Sequence, residues 1–113
     1  PQKIGYINAH GTGTINNDET ELTAFKNIFG KNIPSFNSTK SYTGHTLAAS
    51  GAIESIFSIE TLNSGELYQS LNCTKPIYNS GIIHKPSNKE INYVMINAFG
   101  FGGNCTSLIY KKV

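Results

Sequence analysis

Apolar residues come in short bursts along this chain, and the spacing inside each burst assigns it to a strand or a helix. Ile4, Tyr6, Ile7 and Ala9 crowd together just before Gly11-Thr12-Gly13-Thr14, which predicts a buried strand, Ile4 to Ala9, ending in a turn. Leu22, Phe25, Ile28 and Phe29 then recur at helical spacing, and Gly30 supplies the stop. Asn16 to Asp18 offer the N-cap of that helix, with Asp18 and Glu21 spaced as a capping box. Ser35 to Thr39 reads as a second short strand. Residues 45–62 form a helix of another kind: Leu47, Ala52, Ile53, Ile56, Phe57, Ile59 and Leu62 leave little polar face, so burial on most sides is expected. Its first turns, Ala48 to Ala52, are small enough for neighbouring backbones to come close. Only Glu54 and Glu60 carry charge there, and a buried Glu54 needs a partner.

Leu67 to Ile83 is irregular, with Pro76 and Gly81 leaving room for one edge strand. Ile91 to Ala98 and Thr106 to Lys111 read as strands joined by the turn Phe99-Gly100-Phe101-Gly102-Gly103, an antiparallel hairpin. The order strand, helix, strand, helix, hairpin predicts a layered α/β domain with a mixed sheet.

Composition narrows the classes. A chain of 113 residues holds one domain with a modest core. A net charge of +2, evenly spread, gives no footprint for nucleic acid. No apolar run approaches the ~20 residues of a membrane span, and no signal-peptide pattern is present. Two cysteines, Cys73 and Cys105, are too few for a disulfide framework and sit beside no base, so a reduced, cytoplasmic setting with inert thiols is expected. The first residue is Pro1 and a strand follows almost at once, which reads as a cut through a larger protein.

The chemistry collects in two places. His10 leaves the first strand among glycine and threonine, and His45 follows Thr39-Lys40-Ser41-Tyr42-Thr43-Gly44, read as a second delivery from a strand end. Lys40 is expected beside His45, where a cation disfavours the imidazolium. A neutral imidazole still donates one N–H to a developing oxyanion. A metal centre fits poorly: no His-x-x-x-His or Cys-x-x-Cys is present, and Lys40 would repel a divalent cation. Gly11-Thr12-Gly13-Thr14 lacks the Gly-Lys-Ser/Thr of a phosphate loop. The turn after Phe99 alternates rings with glycines, so it can aim a backbone N–H into a pocket while a ring acts as a movable wall.

Together, Asn8-Ala9-His10-Gly11-Thr12-Gly13-Thr14, Ser38-Thr39-Lys40 with Thr43-Gly44-His45, Ala49 to Ser55, and Asn97 to Gly103 resemble the β-ketoacyl-acyl-carrier-protein synthases, of the elongating Cys-His-His type. The resemblance implies the C-terminal half of a thiolase-like fold, without that half's opening strand and helix. It implies catalytic roles for His10, His45 and Lys40, the histidines holding a malonyl thioester carbonyl as carbon dioxide leaves. Glu54 would pair with Lys40, Phe99 would be the gate ring and lend its N–H to an oxyanion hole, and Thr12 and Thr14 would line the pantetheine entrance. No cofactor or metal is implied. The partners implied are acyl carrier protein, a missing N-terminal half with the nucleophilic cysteine, and a second copy of the parent in a homodimer. Two departures stand out: Asn104-Cys105-Thr106 after Gly103, and a poorly matching stretch from Asn72 to Asn92. Two rival readings are a non-catalytic remnant that serves in assembly and a thiolase acting on coenzyme A esters. The thiolase lacks its late Cys-x-Gly here, where Phe99-Gly100-Phe101 stands instead.

Overall fold

The computed structural model describes all 113 residues and places a four-stranded sheet between helices. In chain order the elements are β1 (Tyr6–Asn8), α1 (Ile15–Phe29), β2 (Ser35–Asn37), α2 (Lys40–Thr43), a 3₁₀ turn (Leu47–Ala49), α3 (Ser50–Ser64), β3 (Glu66–Leu67), β4 (Ser87–Asn88), β5 (Tyr93–Phe99) and β6 (Cys105–Lys111). The main sheet runs β2-β1-β5-β6, with β1 parallel to both β2 and β5 and the β5–β6 hairpin antiparallel. The short strands β3 and β4 pair apart from it.

Alternation along β1 explains the layers. Tyr6 points to the α3 side, into a cluster with Leu62, Leu67, Ile83, Ile91 and Val94. Ile7 and Ala9 point the other way, onto Phe25, Ile33, Phe36 and Met95 under α1. Because β1 and β2 are covered on both faces, their site-bearing ends are held rigidly. No helix is long and apolar enough to cross a membrane.

Three expectations change. Thr14, not Asn16 to Asp18, is the N-cap of α1, and its side chain makes no capping bond. The capping box does not form, because Glu21 is turned into the interior, where it serves other backbone groups. The helix expected at residues 45–62 starts at Ser50 and runs to Ser64, preceded by a break. Leu47, with φ +50°, interrupts it; a left-handed residue ends helical bonding on that side.

The burial of α3 also differs from the expected apolar cylinder. Its inward face is Ser50, Glu54, Ser58, Thr61 and Leu62, whereas Ile56 is 67 % exposed and Ile59 40 %. The polar stripe faces in because the strand ends beneath it present Asn8 and Thr39, not aliphatic side chains.

Candidate active site

His10, Lys40, His45, Glu54 and Phe99 come together at the carboxyl ends of β1 and β2, beside the end of β5. His10 lies two residues past the end of β1 and is buried. The loop carrying it is clamped by Glu21, whose two carboxylate oxygens accept the backbone N–H groups of His10 and Gly11, each at 3.0 Å. Asn97 of β5 donates to the same carboxylate at 3.0 Å. Burial pushes the Glu21 carboxyl up, and these hydrogen bonds oppose that. Glu21 thus joins helix, His10 loop and hairpin. The sequence hid this, since an acid three residues after Asp18 at a helix start satisfies the capping pattern without any tertiary information.

Lys40 opens α2 and is buried, and its Nζ makes two contacts. One is the ion pair with Glu54 Oε1, which supplies the partner that a buried Glu54 requires. The other is His10 Nδ1 at 3.4 Å, a partner that the sequence spacing did not single out. Ser50 donates to Glu54 Oε1 at 2.9 Å. Removing either member of such a pair leaves an uncompensated buried charge, which makes the two residues interdependent.

His45 lies in the loop after α2, not at a strand end, and is exposed. Its ring still meets that of His10 edge-on, with centroids 5.5 Å apart. The Leu47 N–H donates to His45 Nδ1 at 3.2 Å. Leu47 itself is left-handed, a conformation that costs about 1 kcal/mol. The partners assign both tautomers. Lys40 at His10 Nδ1 and the Leu47 N–H at His45 Nδ1 make each Nδ1 an acceptor, which leaves the proton on each Nε2. Two Nε2–H donors therefore share one small region.

His10 is also held neutral. Burial, then the Lys40 cation, then His45 lower its pKa from 6.5 to about 4. Phe99 ends β5 with its ring 5.4 Å from that of His10. Gly100 donates to Asn104 O, and Lys112 to Asn92 O, so even-numbered residues of β5 carry the hairpin bonds. By the alternation of an antiparallel ladder, the Phe99 N–H points away from β6, to the side where β1 has already ended. Thr12 and Thr14 bond each other at 2.9 Å on the exposed flank of the loop.

A separate cavity of about 200 Å³ opens between α1 and residues 70–82, lined by Leu22, Phe25, Phe36 and Cys73 among others. None of the histidines lines it. Both cysteines are free thiols, and neither bonds to the histidine cluster.

A family model described as the β-ketoacyl synthase C-terminal domain matches residues 1–74, a span that holds His10, Lys40, His45 and Glu54. The 3-oxoacyl-[acyl-carrier-protein] synthase 1 of Haemophilus influenzae is 42% identical over 113 residues, covering 96% of this chain and 28% of its own length. A β-ketoacyl synthase from Burkholderia phymatum superposes with a TM-score of 0.92 at 39% identity, over 99% of this chain and 28% of that one. A type II polyketide ketosynthase, solved with its acyl-carrier protein, gives a TM-score of 0.92 at 30% identity, over 100% of this chain and 29% of that chain. The chain thus spans under a third of the length of the proteins it matches, and the thiolase-like α/β fold implied by its motifs is theirs.

Proposed function

The chain belongs to the β-ketoacyl synthase family, matching its C-terminal domain, and on that premise we propose that it supplies the malonyl-activating part of a decarboxylative condensing site. The observation that carries this is the pair of Nε2–H donors, His10 beside His45, with one ring held neutral. A malonyl thioester carbonyl oxygen accepts both N–H groups. As the bond to the carboxylate breaks, carbon dioxide departs and the electron pair stays behind as an enolate, whose oxygen the two donors stabilise. The enolate carbon then attacks an acyl thioester held on a cysteine outside these 113 residues. The tetrahedral oxyanion so formed accepts the Phe99 N–H, and its collapse expels the cysteine thiolate and leaves a 3-oxoacyl product.

Lys40 and Glu54 act through His10. The cation keeps the imidazole neutral and its Nδ1 engaged, and the carboxylate balances that cation inside the protein. Thr12 and Thr14 flank the approach of the pantetheine arm. The substrates are acyl and malonyl thioesters of an acyl carrier protein, in fatty acid or polyketide synthesis. The related ketosynthase solved with its acyl-carrier protein supports that partner. The parent enzyme works as a homodimer and needs no cofactor.

The test is a chimera in which residues 1–113 replace the matching segment of the Haemophilus influenzae synthase. It should form 3-oxoacyl carrier protein from acyl and malonyl carrier proteins. His10→Ala or His45→Ala should slow it about 10²- to 10³-fold, the usual cost of losing one oxyanion donor. The isolated chain should form none. A folded chimera without product, or product from the isolated chain, would contradict the assignment.

A further inference from the structure

The polar inward face of α3 converges on one side chain. Asn8 is fully buried in β1, two residues before His10. Its Nδ2 faces Thr39 Oγ1 at 3.3 Å, the Glu54 backbone carbonyl at 3.4 Å and Ser58 Oγ at 3.3 Å. Its Oδ1 accepts from the Thr39 N–H at 3.3 Å and from the Thr39 hydroxyl at 3.4 Å. One amide therefore touches the residue before Lys40, the backbone of Glu54 and the strand that delivers His10. These bonds are long, so the anchoring lies in their number and in their reach across three elements.

We propose that Asn8 is a positioning residue that sets the separation of His10, Lys40 and Glu54, and so keeps the lysine against His10 Nδ1. Its meaning for turnover rests on the function proposed above; the geometric claim does not. An amide suits the place because it donates and accepts at once and carries no charge. A carboxylate there would oppose the Glu54 carbonyl with no donor and add a second anion beside the Lys40–Glu54 pair. The neighbouring strands use the same device for other purposes. Asn37 of β2 accepts the Tyr6 hydroxyl and donates to Tyr68 O, both at 2.6 Å, while Asn97 joins Glu21 to Ser107. Neither of those amides hydrogen-bonds to α2 or α3.

The charged and titratable groups around His10 are Lys40 from α2, His45 from the following loop, Asp18 and Glu21 from α1, and Glu54 from α3 behind Lys40. Asn8 holds the elements that bring Lys40 and Glu54. Its loss should let Lys40 recede and water enter, and both changes favour the imidazolium.

The experiment is an NMR titration of the His10 ring in the full 113-residue chain. Wild type should titrate near 4, the value set by its surroundings. Asn8→Ala should raise that by at least about one unit toward the ordinary histidine value. Thr39→Val, which keeps the side-chain shape and removes only the hydroxyl link, should raise it less and in the same direction. Asn37→Ala, which removes two hydrogen bonds from the adjacent strand end, should leave it unchanged. The proposal fails if His10 titrates as in wild type in both Asn8→Ala and Thr39→Val, or if Asn37→Ala moves it as far as Asn8→Ala does. Failure of the functional reading looks different: the chimera is silent while the titration shifts appear as stated.

Discussion

His10 keeps its ring uncharged against the pull of solvent protons, and that preference links the site to the stability of the fold. In the folded chain its pKa is lowered from 6.5 to about 4. Between those values the unfolded chain binds the proton and the folded chain does not, so acid favours unfolding. The contribution is intact above about pH 6.5 and is lost as pH falls toward 4. Glu21 works the other way, because burial raises its pKa and the folded state there takes a proton more readily than the unfolded one. His10→Asn should therefore flatten the fall in urea midpoint between pH 6.5 and pH 5. An unchanged slope in that variant would mean that other groups set the acid limb.

Among the elements, the loop between β1 and α1 relies on two glycines with positive φ. A Cβ at Gly11, where φ is +39°, would stand 2.5 Å from the Ser38 side chain. Gly13 has φ +76° and nothing within 4 Å. The two glycines therefore pose different problems, close approach at the first and backbone conformation alone at the second. Gly13→Ala should cost about 1 kcal/mol, the usual left-handed penalty. Gly11→Ala adds a clash to that penalty and should cost about 2–4 kcal/mol in all. It should also displace the N–H groups that Glu21 holds. Paired denaturation curves would decide it; equal losses would show that Ser38 yields freely.

The whole molecule exposes more surface than its size calls for. Its accessible area is 6919 Å², whereas a compact monomer of 12.3 kDa exposes about 6100 Å². The excess, roughly 800 Å², is about one partner's share of a standard interface. It includes Ile56 and Ile59 on α3 and Leu108 and Ile109 on β6, the open edge strand of the sheet. Apolar surface and unpaired strand edge together favour association. In sedimentation velocity the chain should self-associate with rising concentration, and Ile56→Lys with Ile109→Lys should return it to monomer. A wild-type chain that stays monomeric at high concentration would refute this.

The sequence by itself determined the alternation that makes β1 two-faced, the stop at Gly30, the hairpin and the motifs around His10, Lys40 and His45. These are local signals, carried by periodicity, turn residues and short-range spacing. Only the tertiary structure decided which group each polar side chain serves. Glu21 looked like a cap and became the clamp of the His10 loop; Lys40 stands against His10, a partner that the spacing did not single out. The helix expected at residues 45–62 starts only at Ser50, and the Leu47 N–H before it bonds His45 Nδ1 across the turn. The polar face of α3 turned inward because Asn8 and Thr39 wait beneath it. In each case the partner lies far off in the chain or across a turn, and a buried polar group goes to whichever acceptor or donor packing brings within reach.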